Sequence, residues 1–202
     1  MGLWRGTSPL ILASQSSARK MLLANAGFEF ESVTADIDER GLQAASKLSN
    51  PRAIALLLAC EKAKAVSALH PGSYVIGADQ TLALGERLFN KPAGRPQAMA
   101  QLRDLAGNSH ELNSAVAVAH DEKIVFEDVS VARMTMRHMT EAQLSAYLDA
   151  AGDAVATSVG GYQLEGLGIH LFERIEGDHF TILGLPLLPL LAFLRRERLV
   201  AV

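Results

Sequence analysis

One cysteine, Cys60, stands in a chain of 202 residues, so no internal disulfide can form. It lies in an apolar, helix-forming run, and a lone thiol of that kind fits a reducing compartment. Neither sign of charge is in large excess: 19 Lys and Arg against 22 Asp and Glu leave a net charge of −3. That balance offers no broad nucleic-acid surface and no attraction to an anionic membrane, so any anionic ligand must be held by a local cluster of cations. The opening residues MGLWRGTSP lack the apolar core of a signal peptide. Gly6 stands where an N-terminal acylation motif requires Ser or Thr. The apolar run from Ile182 to Leu194 is too short to cross a bilayer and carries Pro186 and Pro189. The expectation is a soluble, cytoplasmic protein that binds neither nucleic acid nor membrane.

Several fingerprints are missing as well. No Walker A pattern occurs, and Gly166 and Gly168 have no third glycine at dinucleotide spacing. The 6 histidines are scattered without metal-ligand spacing, which disfavours a zinc site. There is no nucleophile elbow and no catalytic-cysteine context.

What remains is an ordinary globular composition, 49% hydrophobic and 20% charged, with 16 Gly and 7 Pro. It is long enough for one domain spanning residues 1–202. The stretch Pro9 to Gly27 organises the rest. Leu10 to Ala13 reads as a buried strand, Ser14-Gln15-Ser16-Ser17 as a hydroxyl-rich turn, and Ala18 to Ala26 as a helix with Ser16 as N-cap and Gly27 just past its end. A helix N-terminus carries unpaired N–H groups and partial positive charge, so Ser14, Ser16, Arg19 and Lys20 form a candidate anion site. The plainer alternative is a serine cap followed by two solvated cations.

Further along, Phe28 to Val33 alternates like a strand and leads into an acidic loop, Thr34 to Arg40, holding Asp36, Asp38 and Glu39. Those carboxylates are either a solvated turn or oxygen ligands for a divalent cation. Asn50 and Pro51 start a helix that runs to about Leu69. Ser73 to Leu84 has strand propensity but carries Asp79 and Gln80 at its centre. A carboxylate there needs a partner, because burying it alone is costly. Gly77 allows a close backbone approach or a bulge. Gly85-Glu86-Arg87 turns the chain back through Leu88 to Pro92, with Lys91 held extended by Pro92. A helix from Arg95 to Ala106 and strands His110 to Ala119 and Lys123 to Ala132 follow. Then come a helix from Ala142 to Ala150, a glycine turn at Val159 to Tyr162, a segment from Gly166 to Ile175 that leads into strand, and a closing helix ending at Arg195-Arg196. The order implies an α/β fold with a mixed sheet rather than a doubly wound parallel one.

Taken together, SxSxxRK, DE, EKA, GADQ, NKP, GGYxLEGxG and GLPL in this order closely resemble the Maf family of nucleoside triphosphate pyrophosphatases. The resemblance covers about Leu10 to Leu194. It implies an elongated mixed sheet flanked by helices, two lobes with a central cleft, and a homodimer. It also implies hydrolysis of the α–β phosphoanhydride of a nucleotide with a divalent cation, Mg²⁺ or Mn²⁺. By position, Asp79 matches the family's catalytic base. Ser14, Arg19 and Lys20 match its phosphate loop, and Glu39, Lys62 and Lys91 match further cleft residues. Glu39 and Asp79 would be the metal's oxygen ligands. Ser158 replaces a lysine of the widespread form. Gln80, Glu165 and the run Leu171-Phe172-Glu173-Arg174 resemble the branch acting on 7-methyl-GTP more than the dTTP/UTP branch, while Ala18 matches neither. A nucleotide-binding regulator of septum formation with little turnover is the rival reading. A purely structural domain would leave Asp79 without purpose.

Overall fold

The computed structural model describes residues 2–156 and 158–202. Strand β1 (Ile11–Ala13) is buried and pairs in parallel with β2 (Glu31–Ser32) on one side and β3 (Tyr74–Leu84) on the other. Helix α1 (Ser17–Asn25) leaves β1 through the serine turn, and the Ser16 hydroxyl accepts from Arg19 N at 3.4 Å. Gly27 ends it with φ 82°, a left-handed conformation that glycine adopts without strain. After α2 (Glu39–Ser46), helix α3 (Pro51–Ser67) begins as Asn50 and Pro51 predict, with Asn50 Oδ1 accepting from Arg52 N at 2.9 Å and Ala53 N at 3.1 Å.

Strand β4 (Arg87–Phe89) folds back antiparallel on β3. Helix α4 (Arg95–Leu105) leads to β5 (Ser109–His120) and β6 (Lys123–Met136). Asp121 (φ 47°) and Glu122 (φ 63°) join those two strands, both left-handed as a two-residue hairpin requires. Thr140 and Gln143 form a reciprocal capping box at the start of α5 (Glu141–Ala151). Strand β7 (Phe172–Glu176) pairs antiparallel with β6, and α6 (His179–Ile182) and α7 (Leu187–Arg196) complete the chain. The sheet has seven strands in the order β2-β1-β3-β5-β6-β7, with β4 on β3. It is mixed, as expected.

The chain separates into two compact units. The first is assembled from three segments: the residues up to Gln80, Ser114–Ser130 and His179–Val202. Period-two alternation sends Ile76, Val116 and Val118 to one face, where Leu10, Leu12, Leu185, Leu190 and Phe193 pack with them. The other face presents Ala115, Ala117 and Ala119 to Ala55, Ala59 and Ala63 of α3. Small residues bring that helix close. At Gly77 an added Cβ would stand 2.7 Å from Ala63 N, so no side chain fits between β3 and α3. An antiparallel bridge between Trp4 and Val200 ties the two ends of this unit together, with Arg5 N donating to Leu199 O at 3.0 Å. The second unit comprises Thr81–Asn113 and Val131–Asp178, with Leu102, Leu105, Met134, Leu144 and Leu148 buried.

Two expectations change. The strand expected over Phe28 to Val33 contracts to Glu31–Ser32, both exposed, since only that short piece meets β1. The acidic segment is not simply a loop: Asp38 caps α2, accepting from Gly41 N at 2.9 Å, and Glu39 is the first residue of that helix. A carboxylate there also complements the helix dipole.

Candidate active site

Asp79 sits in β3 with only 9% of its surface exposed. Its Oδ1 receives the ammonium of Lys62, on α3, at 2.6 Å, and the same Nζ lies 2.8 Å from Glu39 Oε1 on α2. Three elements thus supply one alternating cluster of acid, base and acid, and the close seam at Gly77 sets its scale. Lys62 is 12% exposed at its side chain and Glu39 51%, so the cluster runs from the interior towards solvent. Burial raises the Asp79 carboxyl above its ordinary range, against the pull of Lys62 and Arg19.

The Arg19 side chain turns inward from the first turn of α1. Its Nε donates to Gly184 O at 2.7 Å, and Nη1 donates to Ala78 O at 2.8 Å and to Ser14 Oγ at 3.4 Å. Burial lowers its pKa, opposed by the Asp79 and Glu39 carboxylates, yet a guanidinium stays charged at physiological pH. Arg19 therefore brings positive charge beside Asp79 while gripping the peptide just before it. Ser14, buried, also accepts from Ser16 N at 3.2 Å. Ser16 behaves as a cap. Lys20 reaches Gln15 Oε1 at 3.4 Å near the surface.

The Gln80 amide is likewise held: Nε2 donates to Ser114 Oγ at 2.9 Å, Ile182 O at 3.0 Å and Thr181 O at 3.2 Å. Ser114 and Thr181, buried partners of this amide, were not singled out by the sequence reading. For Ser114, a serine beside an asparagine just ahead of the apolar run AVAVA was the available signal.

Asp79, Glu39, Lys62, Ser14, Ser16, Arg19, Lys20 and Gln80 all belong to the first unit. Lys91 and Glu165 belong to the second, and both are exposed. Within that second unit the segment leading to Glu165 is pinned. The Tyr162 hydroxyl and His110 Nε2 are 2.7 Å apart in the interior, Ser158 Oγ donates to Tyr162 O at 2.5 Å, and Tyr147 donates to Gly161 O at 3.2 Å. Gly160 is left-handed (φ 78°), and a Cβ there would meet Leu82 Cδ1 at 2.6 Å. Ser158, which replaces the expected lysine, thus acts on the backbone of its own turn.

The donors suit a hard divalent cation of the Mg²⁺ type. Two carboxylates converge on one positive centre, here the Lys62 ammonium, and such ions commonly take one or two carboxylates and fill their remaining positions with water and phosphate oxygens. Among the described residues, no three His, Cys, Asp or Glu side chains converge to make an all-protein cage. No helix among them is long and apolar enough to cross a membrane.

A protein of Bradyrhizobium diazoefficiens named nucleoside triphosphate pyrophosphatase is 89% identical over 202 residues, the full length of both chains. A Rhodopseudomonas palustris protein of the same name is 64% identical over 201 residues, again covering both chains in full. A Brucella abortus protein named 7-methyl-GTP pyrophosphatase is 50% identical over 194 residues, 95% of this chain and 98% of its own. The profile of the Maf-like proteins matches residues 9–197. The chain belongs to the Maf-like protein family.

Proposed function

We propose that this protein hydrolyses a nucleoside triphosphate between the α and β phosphorus atoms, releasing a nucleoside monophosphate and pyrophosphate. The observation that carries the reading is the buried Asp79 carboxylate, with Lys62 on one of its oxygens and Arg19 on the preceding carbonyl. The printed names of the full-length relatives support it. A water oxygen attacks the α-phosphorus, the bond to the α–β bridging oxygen breaks, pyrophosphate departs, and the water's proton passes to the Asp79 carboxylate. A carboxylate held above its usual pKa is a better acceptor for that proton. A triphosphate carries about four negative charges near neutrality, so it needs converging cations, and Lys62 and Arg19 supply two from the first unit. Glu39 and Asp79 would hold a divalent cation, Mg²⁺ or Mn²⁺, which when bound offsets charge on the phosphate oxygens and leaving group. By the resemblance, Lys91 is a further catalytic cleft residue and Glu165 a substrate-binding one.

For the base, we favour a 7-methyl-GTP-like purine over dTTP or UTP. The Brucella abortus relative and the presence of Gln80 and Glu165 support this choice. Since the Gln80 amide nitrogen is occupied by three protein acceptors, its oxygen is the atom offered to a base donor.

The test is pyrophosphate release with Mg²⁺ or Mn²⁺ across 7-methyl-GTP, dTTP, UTP, CTP and modified pyrimidines, with Asp79→Asn beside the wild type. Turnover is expected with 7-methyl-GTP, and the variant should lose about a hundredfold or more, the scale of a general base. Nucleotide binding without turnover in the wild type overturns the reading and favours the regulator. Preference for dTTP or UTP overturns the choice of base alone.

A further inference from the structure

We propose that Lys62 is a place-holder for the divalent cation: its ammonium occupies the position between Glu39 and Asp79, the metal displaces it, and the released ammonium pairs with the substrate's phosphates. This inference rests on the proposed function for its divalent cation and for its last step, while the position the ammonium occupies is given by the geometry.

One nitrogen lies 2.6 Å from Asp79 Oδ1 and 2.8 Å from Glu39 Oε1. Those are charge-assisted hydrogen-bond distances, and the two oxygens therefore already face one cationic centre. A Mg²⁺ ion needs its oxygens at about 2.0–2.1 Å. An ammonium and a metal ion cannot both occupy the one position between Asp79 Oδ1 and Glu39 Oε1. The rest of the site suits exchange. The α3 backbone is pressed on β3 at Gly77 and cannot recede, whereas the lysine side chain is a compact charge on a flexible four-carbon stem. Glu39, on the exposed side, can follow a smaller ion. Arg19 is no alternative mobile cation, since its Nε and Nη1 are committed to Gly184 O, Ala78 O and Ser14 Oγ.

Charge makes the exchange conditional. The ammonium offsets one of the two carboxylate charges, whereas a divalent ion offsets both. Without nucleotide, the metal would have to expel Lys62 into water with no anion to receive it. With a triphosphate present, the expelled ammonium gains a partner. Metal and nucleotide therefore assist each other's binding, and the coupling passes through one side chain.

The experiment is Mn²⁺ binding to the nucleotide-free protein, followed by electron paramagnetic resonance of the free ion, for the wild type, Lys62→Met and Lys62→Gln. Removing the ammonium should tighten Mn²⁺ at least tenfold, and adding Asp79→Asn to either variant should abolish that gain. Equal or weaker binding in both variants overturns the proposal, as does a gain that survives Asp79→Asn. Thermal melts establish that the variants are folded. If neither folds, Mg²⁺ titration of the wild type in the presence of inorganic tripolyphosphate, followed at the Lys62 Cε–Hε resonance, decides: a saturable shift beyond that caused by tripolyphosphate alone supports displacement and an unmoved resonance refutes it. These readouts do not involve turnover. Nucleotide hydrolysis with no gain in Mn²⁺ affinity sinks only the place-holder. A gain in affinity without hydrolysis leaves the exchange standing and sinks its last step together with the hydrolase reading.

Discussion

His110 gives the sharpest stability prediction. It is 1% exposed in β5, its Nε2 bonds to the buried Tyr162 hydroxyl, and its Nδ1 has no partner among the described residues. Burial pushes its pKa from 6.5 down to about 4. In the unfolded chain the same imidazole titrates near 6.5, so between these values the unfolded state binds a proton that the native state does not. The stability contributed by the neutral ring is therefore intact above pH 6.5 and is lost as pH falls towards 4. A gap of about 2.5 pH units, at about 1.4 kcal/mol each, sets a limit of about 3.5 kcal/mol, of which about 2 kcal/mol has gone by pH 5. For a chain of this size that corresponds to roughly 4–8 °C in Tm. The informative quantity is the difference between the wild-type profile and that of His110→Gln, whose side-chain amide can still meet the Tyr162 hydroxyl. The variant should be less stable than the wild type at pH 7, and the two urea midpoints should approach each other as pH falls to 5. Parallel profiles across that range would falsify the assignment of a neutral, buried imidazole.

Two further outcomes follow from packing. Gly77→Ala places a methyl 2.7 Å from Ala63 N and 2.9 Å from Ala63 Cβ, and overpacking of this kind costs about 1–3 kcal/mol. A urea midpoint equal to the wild type's would show that α3 can recede. The Cys60 thiol, pushed up to about 12 by burial and by its contact with Glu127 at 3.4 Å, should resist a disulfide reagent at pH 8 in the native protein and react at once in denaturant. Rapid native labelling contradicts that environment.

Local signals carried far in this chain. Asn50-Pro51 predicted the start of α3, the Gly85-Glu86 turn predicted the β3–β4 hairpin, and Ser16 and Gly27 marked the ends of α1, because caps and turns depend on neighbours within a few residues. Helix α2 escaped because Asp36, Asp38 and Glu39 look alike in sequence, and only the structure shows that Asp38 is the cap. The inward turn of Arg19 was beyond local reading as well: its acceptors lie 59 and 165 residues away. An anion near Arg19 and Lys20 was a fair inference from the helix end, but distant carbonyls satisfy much of the guanidinium. The convergence of Lys62 with Asp79 and Glu39 needed three separate elements, which a family resemblance can indicate and spacing alone cannot.

The three-segment make-up of the first unit has a consequence during synthesis on the ribosome. Chains fold as they emerge, N-terminal parts first. Here the opening 80 residues carry Asp79, Lys62, Glu39 and Arg19, but the carbonyls of Gly184, Thr181 and Ile182 that anchor Arg19 and Gln80 arrive only with the last segment. Until then the apolar face of the sheet lacks Leu185, Leu190 and Phe193 as cover. A nascent chain stalled before His179 should therefore be a client for chaperones, and its candidate site is incomplete, because the carbonyls that hold Arg19 and Gln80 have not yet been made.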